Sequence, residues 1–166
     1  LPVLRARGFL ATMFVITDLA DGKKLWENDH PALMWDHLAQ LIESGWCIGS
    51  HTKTHVTLGG TGRPTRNRAH MIDEISGSQE VIREMLGVKC DNFTYPVGII
   101  DETADNMVRQ HYKTARLWQQ HPEPPPGPAY RWVTRHTDPH RLFGINVNVM
   151  TSFERFQEIV DVTHPN

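Results

Sequence analysis

Two histidines with three residues between them, His51 and His55, follow a short apolar stretch at Trp46–Ile48. The stretch is typical of a buried strand, and Gly49 and Ser50 are expected to end it. Side chains just past the end of a strand lie where α/β proteins build their sites. Two neutral imidazoles supply half of a zinc-type coordination shell, but hydrolysis at such an ion also needs a further ligand and a base. No carboxylate stands near the pair in the sequence, so it must come from elsewhere in the fold or be absent.

The composition is that of one globular domain with a sizeable core. The 166 residues include 17 basic and 19 acidic side chains, and the net charge of −2 argues against a nucleic-acid partner. No apolar run reaches about 18 residues, so the sequence predicts no membrane-spanning helix. The chain starts at Leu1 without an initiator methionine, and we expect it to be a segment of something longer. Cys47 and Cys90 allow one disulfide at most, and two buried, reduced thiols are the favoured interpretation.

Strands and helices are expected to alternate along the chain, which favours a parallel sheet with crossover helices. A closed eight-fold barrel typically needs about 250 residues, so the sequence predicts an open sheet or an incomplete barrel. Residues 17–29 and the proline-rich stretch 121–128 are expected to be loops. The predicted strands are residues 9–15, 46–48, 93–95, 114–118 and 141–149. The predicted helices begin at Pro31, cover Met71 to Leu86, include Ala104 to Val108, and cover Ser152 to Val162.

Several motifs together resemble one known family. Ser50-His51-Thr52-Lys53-Thr54-His55 resembles the second motif of the polysaccharide deacetylases, also called NodB-homology proteins or carbohydrate esterase family 4. Phe93-Thr94-Tyr95-Pro96-Val97-Gly98 resembles the third motif of that family, one βα unit later. The stretch Gly8–Val15 resembles the family's second strand, Asp73–Ser78 its next helix, and Tyr112–Arg116 a later strand. The resemblance extends from about Gly8 to Gly98.

The resemblance implies an α/β fold of the NodB type, a parallel sheet in an incomplete or distorted (β/α) barrel, as a single domain over residues 1–166. It implies hydrolytic deacetylation of an acetylated carbohydrate, either an N-acetyl sugar polymer or O-acetyl xylan, with one divalent metal. Zinc is the expected ion, with cobalt or nickel as alternatives, and His51 and His55 are the implied ligands. The backbone N–H of Val97, placed by Tyr95 and Pro96, is implied to hold the developing oxyanion. Neither nucleic acid nor membrane is an expected partner.

The chain departs from the family pattern at three points. The family's first strand has two adjacent Asp residues, one a ligand and one the base, and no Asp-Asp pair occurs in this sequence. Thr94 stands where many members have an Arg that orients the base. The last motif, a strand ending in a histidine that acts as general acid, has no match, since His164 follows a predicted helix. The domain is therefore expected to lack its first strand and its last motif.

These departures keep a second hypothesis open, namely a catalytically inert NodB-like domain that binds glycan or a protein partner. We expect the chain alone to have weak metal affinity unless another carboxylate, such as Asp18 or Asp138, completes the site. A missing first strand would also expose the edge of the strand at Phe9–Val15 and favour self-association.

Other side chains have both a functional and a structural interpretation. Trp118, Tyr130 and Trp132 could stack on a sugar ring or pack in the core or a lid. For Asp101, Glu102 and Asp105, acids at a helix N-terminus are the favoured interpretation.

Overall fold

The structure, a computed structural model, describes residues 8–22, 32–59, 67–117 and 137–143, together with Ala6, Ser152 and Glu154. The strands in these residues are β1 (Thr12–Val15), β2 (Cys47–Ser50), β3 (Asn92–Thr94), β4 (Thr114–Leu117) and β5 (Leu142–Phe143). The helical elements are α1 (Thr17–Ala20), α2 (Trp35–Glu43), α3 (Arg68–Ile72), a π-helical segment (Asp73–Gly77), α4 (Ser78–Leu86), a 3₁₀ turn (Pro96–Gly98) and α5 (Glu102–His111).

The five strands form one parallel sheet in the order β1-β2-β3-β4-β5, with helices in the connections. Thr12 pairs with Cys47, Ser50 with Phe93, and Asn92 with Thr114. Within the described residues the sheet does not close on itself, because β1 and β5 are its two edges. The α/β fold with an incomplete barrel is therefore confirmed. The carboxyl ends of β1, β2 and β3 lie side by side at one edge of the sheet, where a site can form.

The helices cover the sheet with their apolar faces. Leu38 and Leu41 of α2 are 1% exposed, and Ile75 and Ile82 of the long helical stretch are fully buried. Met34, which precedes α2, and Met85 of α4 are instead 40% and 51% exposed. Gly87 ends α4 in the left-handed conformation, with φ +66°, which glycine adopts without steric cost. None of the described helices is long and apolar enough to cross a membrane.

The first predicted strand, Phe9–Val15, is too long by three residues. Pairing starts at Thr12 because its partner strand starts only at Cys47, after a turn at Ser44 and Gly45. Phe9 and Leu10 are 60% and 70% exposed, so this part of the run is not buried on both faces.

The second predicted strand ends too early. Gly49 and Ser50 belong to β2 and pair with Phe14 and Val15 of β1. A Cβ atom on Gly49 would lie 2.6 Å from Cδ1 of Phe14, so the glycine permits a close approach of strands rather than ending one.

Two further predictions on element bounds are wrong. Thr17–Ala20 is a short helix rather than part of a loop, and its Ala20 packs in the core with 1% exposure. Helix α2 begins at Trp35, where the His37 ring accepts from the Met34 N–H as an N-terminal cap would.

Several predicted features lie outside the described residues. They are Pro31, the aromatic residues Trp118, Tyr130 and Trp132, the stretch 121–128, most of 141–149 and 152–162, and His164.

Candidate functional site

His51 and His55 lie at the carboxyl edge of the sheet, directly after β2. The His51 N–H donates to the carbonyl of Val15 at 2.8 Å, which ties the histidine to the end of β1. The two ring centroids are 4.7 Å apart, with an angle of 66° between the ring planes. The two side chains therefore converge on one side of this edge, and their role as ligands stays a prediction.

The Thr94 carbonyl determines which nitrogen of His51 carries the proton. His51 Nδ1 lies 2.8 Å from this oxygen. A carbonyl oxygen only accepts hydrogen bonds, so Nδ1 is the donor, and in the neutral ring the lone pair is on Nε2. Burial, together with smaller effects of His55 and Arg116, lowers the pKa of His51 to about 4, although the hydrogen bond to Thr94 raises it. The ring is therefore neutral near pH 7, the form that binds metals.

Three residues other than glycine have a positive φ within the described residues, and all three belong to the two candidate motifs. Thr52 and His55 have φ of 67° and 62°, and Val97 has 59°. The left-handed region is unfavourable for residues with a Cβ atom and most of all for β-branched ones. Backbone strain of this kind persists only where the surroundings hold it, and it clusters at functional sites.

The turn Tyr95-Pro96-Val97 of the other motif lies after β3 and is joined to the histidines at two places. The first is the bond between the His51 ring and Thr94, the last residue of β3. The second is a parallel bridge between Leu58 and Ile100, which follow the two motifs in the chain. The structure thus brings the candidate ligands and the candidate oxyanion turn together at the ends of two neighbouring strands.

The Tyr95 side chain points into the protein rather than into an open site. It is 1% exposed, and its hydroxyl donates to Oδ1 of Asp105 at 3.0 Å. Burial and the Asp105 carboxylate both raise the pKa of Tyr95. The side chain anchors the turn, and the catalytic role assigned to the motif rests on the backbone of Val97.

The acids at the start of α5 behave as the sequence predicts, with one addition. The Asp101 carboxylate caps the helix by accepting from the Ala104 N–H at 2.8 Å, and Glu102 lies in the first turn. Asp105 is 5% exposed and also binds Arg109 and Arg141 at 3.2 and 2.8 Å. Burial alone would raise its pKa, but hydrogen bonds from Arg141, Tyr95 and Arg109 outweigh burial and lower the pKa.

Glu74 is a residue of this site that the sequence analysis missed. Its carboxylate is 1% exposed and accepts hydrogen bonds from the backbone of Lys53 and Thr54, between the two histidines. The sequence did contain a signal for Glu74, because a charged residue lies there at helical spacing among the apolar residues Met71 and Ile75, on the buried face.

The two histidines supply only part of the ligands that a divalent ion needs. His51 offers Nε2, and the His55 ring lies beside it. Within the described residues no third His, Cys, Asp or Glu joins them in a group that could hold a metal. Asp18 lies nearby, since its N–H donates to the Lys53 carbonyl at 3.0 Å. Asp138 instead pairs with Arg109 of α5.

The two cysteines are free thiols, as predicted, but only one is buried. Cys90 is 1% exposed, and burial raises the pKa of its thiol to about 12. Cys47, the first residue of β2, is exposed.

Comparison with known proteins connects this geometry to one family. The model of the polysaccharide deacetylase family matches residues 1–115. A gellan lyase from a Bacillus species is 30% identical over 109 residues, which make up 66% of this chain but only 4% of the lyase.

Solved structures share the fold. A polysaccharide deacetylase from Bacillus cereus matches with a TM-score of 0.68 and 20% identity, over 90% of this chain and 41% of that protein. A Streptococcus pyogenes deacetylase in complex with acetate matches with a TM-score of 0.70 and 17% identity, over 95% of this chain and 61% of that protein. The chain thus spans less than two thirds of each of these relatives.

Proposed function

This chain belongs to the polysaccharide deacetylase family, and we propose that it forms part of a site that hydrolyses acetyl groups from an acetylated carbohydrate. The observation that carries the proposal is the pair of imidazoles His51 and His55, 4.7 Å apart and joined through Thr94 to the strained turn at Val97. This arrangement places candidate metal ligands beside a candidate oxyanion donor.

In this proposal His51 and His55 would hold one divalent ion, with zinc as the first candidate and cobalt or nickel as alternatives. The ion would supply Lewis acidity toward the acetyl carbonyl and toward a water molecule. The Thr94 carbonyl orients the His51 ring and keeps Nε2 unprotonated. The N–H of Val97 donates to the oxygen of the tetrahedral intermediate as negative charge develops there.

The substrate class follows from the family and comprises N-acetyl sugar polymers and O-acetyl xylan. The family's aspartate pair, a ligand and a base, has no counterpart among the 166 residues. A missing general base costs typically about 10²–10⁴-fold in rate. We therefore expect the 166-residue chain to bind metal weakly and to show negligible activity.

The test compares this chain with the same chain extended at its amino end by a strand that carries two adjacent aspartates. Zn²⁺ binding is measured by titration calorimetry, and acetate release is measured on acetylated chito-oligosaccharide and on acetylated xylan. We expect the extension to restore tight binding and turnover together. His51→Gln in the extended chain should abolish both, whereas His111→Gln, at an exposed histidine in the last turn of α5, should leave both intact.

One outcome would contradict the proposal, and a second would contradict only the expected inactivity of the 166-residue chain. Glycan binding without acetate release by the extended chain would favour the inert, glycan-binding domain instead. Tight Zn²⁺ binding and turnover by the 166-residue chain would mean that another carboxylate, such as Asp18, completes the site.

A further inference from the structure

Glu74 is a buried carboxylate whose hydrogen bonds all reach the turn between the two histidines. Oε2 accepts from the N–H groups of Lys53 and Thr54, both at 3.0 Å. Oε1 accepts from the Thr54 hydroxyl at 2.7 Å, and His70 Nε2 lies 3.7 Å from the same oxygen. A carboxylate that is 1% exposed is costly to bury unless donors of this kind surround it.

The backbone N–H groups of this turn form a binding place for an anion. Lys53 and Thr54 lie between Thr52 and His55, which both have the left-handed backbone conformation. Successive N–H groups beside a left-handed residue point toward one side and form a concave anion-binding nest. Filled by the Glu74 carboxylate, the nest offsets the strain at the two flanking residues, one of which is His55 itself.

The π-helical segment fixes where this carboxylate lies. Its Ile75 carbonyl accepts from the hydroxyls of Tyr112 and Ser78, at 2.7 and 2.9 Å. The Ser78 hydroxyl also lies 2.7 Å from the hydroxyl of Ser50, the residue before His51. These contacts lock the helix to the end of β2, so Glu74 faces the turn in one register. Single π-helical turns inside α-helices are frequent at functional sites.

We propose that Glu74 is a positioning residue that holds the turn Thr52–His55 so that the two imidazoles face one another. The inference deepens the proposed function, on which it rests, because converging rings matter only if they share one ion. The residue next to Glu74, Asp73, contacts the same loop differently. Among the residues that the structure describes, Asp73 pairs with the Lys53 ammonium group at the surface, with 57% of its own side chain exposed.

The test uses the 166-residue chain and the variant Glu74→Gln, which keeps the shape of the side chain but replaces one acceptor oxygen and removes the charge. Asp73→Asn is the matched control, since it removes a charge one residue away without touching the turn backbone. Ile82→Val, in the core of α4, is a control for a general loss of stability. NMR measures amide exchange at Lys53 and Thr54, the ring-to-ring NOE between His51 and His55, and Zn²⁺ affinity from the ring resonances.

In Glu74→Gln we expect amide exchange at Lys53 and Thr54 to rise by about tenfold or more, because charge-assisted hydrogen bonds are lost. The ring-to-ring NOE should weaken, and Zn²⁺ affinity should fall by about 10–100-fold, as for other residues that orient metal ligands. Both controls should keep the NOE and the affinity. Thr54→Val, which removes only the bond to Oε1, gives a milder form of the same changes if Glu74→Gln does not fold.

The proposal is overturned if Glu74→Gln lowers the melting temperature, as Ile82→Val does, but keeps the NOE and the Zn²⁺ affinity. Rapid exchange of the Lys53 and Thr54 amides in the unmodified chain would overturn it as well. Failure of the chain extended by the aspartate strand to bind Zn²⁺ would count against the proposed function alone, because the amide and NOE measurements need no metal.

Discussion

At the scale of single residues, the candidate site depends on main-chain groups as much as on side chains. The Thr94 carbonyl selects the tautomer of His51, and the Lys53 and Thr54 amides bind Glu74. The N–H assigned to the oxyanion belongs to Val97, a β-branched residue with φ of 59°. A left-handed backbone at such a residue costs roughly 1–2 kcal/mol, and the fold must supply that energy.

Replacing Val97 by glycine should therefore stabilise the protein. Glycine adopts positive φ without steric cost but loses more chain entropy on folding, so we expect a net gain of about 0.5–1 kcal/mol in the free energy of unfolding. Urea unfolding measures the gain. Val97→Ala is the control, because alanine keeps the strain of a Cβ atom, and an equal gain in both variants would refute the explanation by φ.

Asp138 should make stability depend on pH in the acid range. The hydrogen bond from Arg109 lowers the pKa of Asp138 from 3.8 to about 2 in the folded protein. The carboxylate thus contributes stability above about pH 4, and this contribution disappears as the pH falls toward 2. Urea unfolding of the unmodified chain and of Asp138→Asn across this range should show the two free energies converging at low pH. Curves that stay parallel down to pH 2 would contradict the assignment.

At the scale of elements, two loops that follow neighbouring strands are held against each other. The loop after His55 approaches the segment after Val97 through the bridge between Leu58 and Ile100. Gly59 makes the approach possible, since a Cβ atom there would lie 2.4 Å from the Asp101 nitrogen and 2.5 Å from the Ile100 carbonyl carbon. Both are backbone atoms and cannot move aside as a flexible side chain would.

Gly59→Ala should accordingly separate the two loops and weaken the site. We expect a loss of about 1–3 kcal/mol in the free energy of unfolding, as for other substitutions that overfill a packed region. The amide of Ile100 should also exchange faster with solvent in the variant. Gly87→Ala is the comparison, because nothing lies within 4 Å of the added Cβ there and only the strain of φ +66° acts. A smaller loss of unfolding free energy at Gly59 than at Gly87 would show that the two loops move to accommodate the added Cβ atom.

At the scale of the whole molecule, the sheet ends in an apolar edge. Strand β1 has a partner on one side only within the described residues. Phe9 and Leu10, which Ala11 separates from the strand, are 60% and 70% exposed, and Leu10 lies against the turn at Gly45. An unpaired edge beside exposed apolar side chains favours pairing with another chain.

The isolated chain should associate through this edge. Sedimentation velocity at increasing protein concentration is expected to show dimers or larger species, and Leu10→Lys should shift the population toward monomer. Met85→Lys is the matched control, since Met85 is 51% exposed on α4 rather than on the edge. Equal effects of the two substitutions would mean that association is not specific to β1.

The sequence by itself determined the fold class, the alternation of strands and helices apart from α1, and the two motifs. Alternation of apolar runs with helical periods is a local signal, and it sufficed for β3 and β4 to within one residue at each end and for α5 to within three. The motifs, with their resemblance to deacetylases, identified His51, His55 and Val97 as candidates before any contact was known. Their roles as ligands and oxyanion donor stay predictions.

Only the tertiary structure decided how these residues are held. Strand ends depend on where the partner strand begins, so the bounds of β1 and β2 could not be read from their own residues. The bonds from Glu74 to the Lys53 and Thr54 amides span about twenty positions in the chain, and the His51 bond to Thr94 spans 43. No periodicity encodes contacts between such distant segments, because they form only when the helix and the strands pack together.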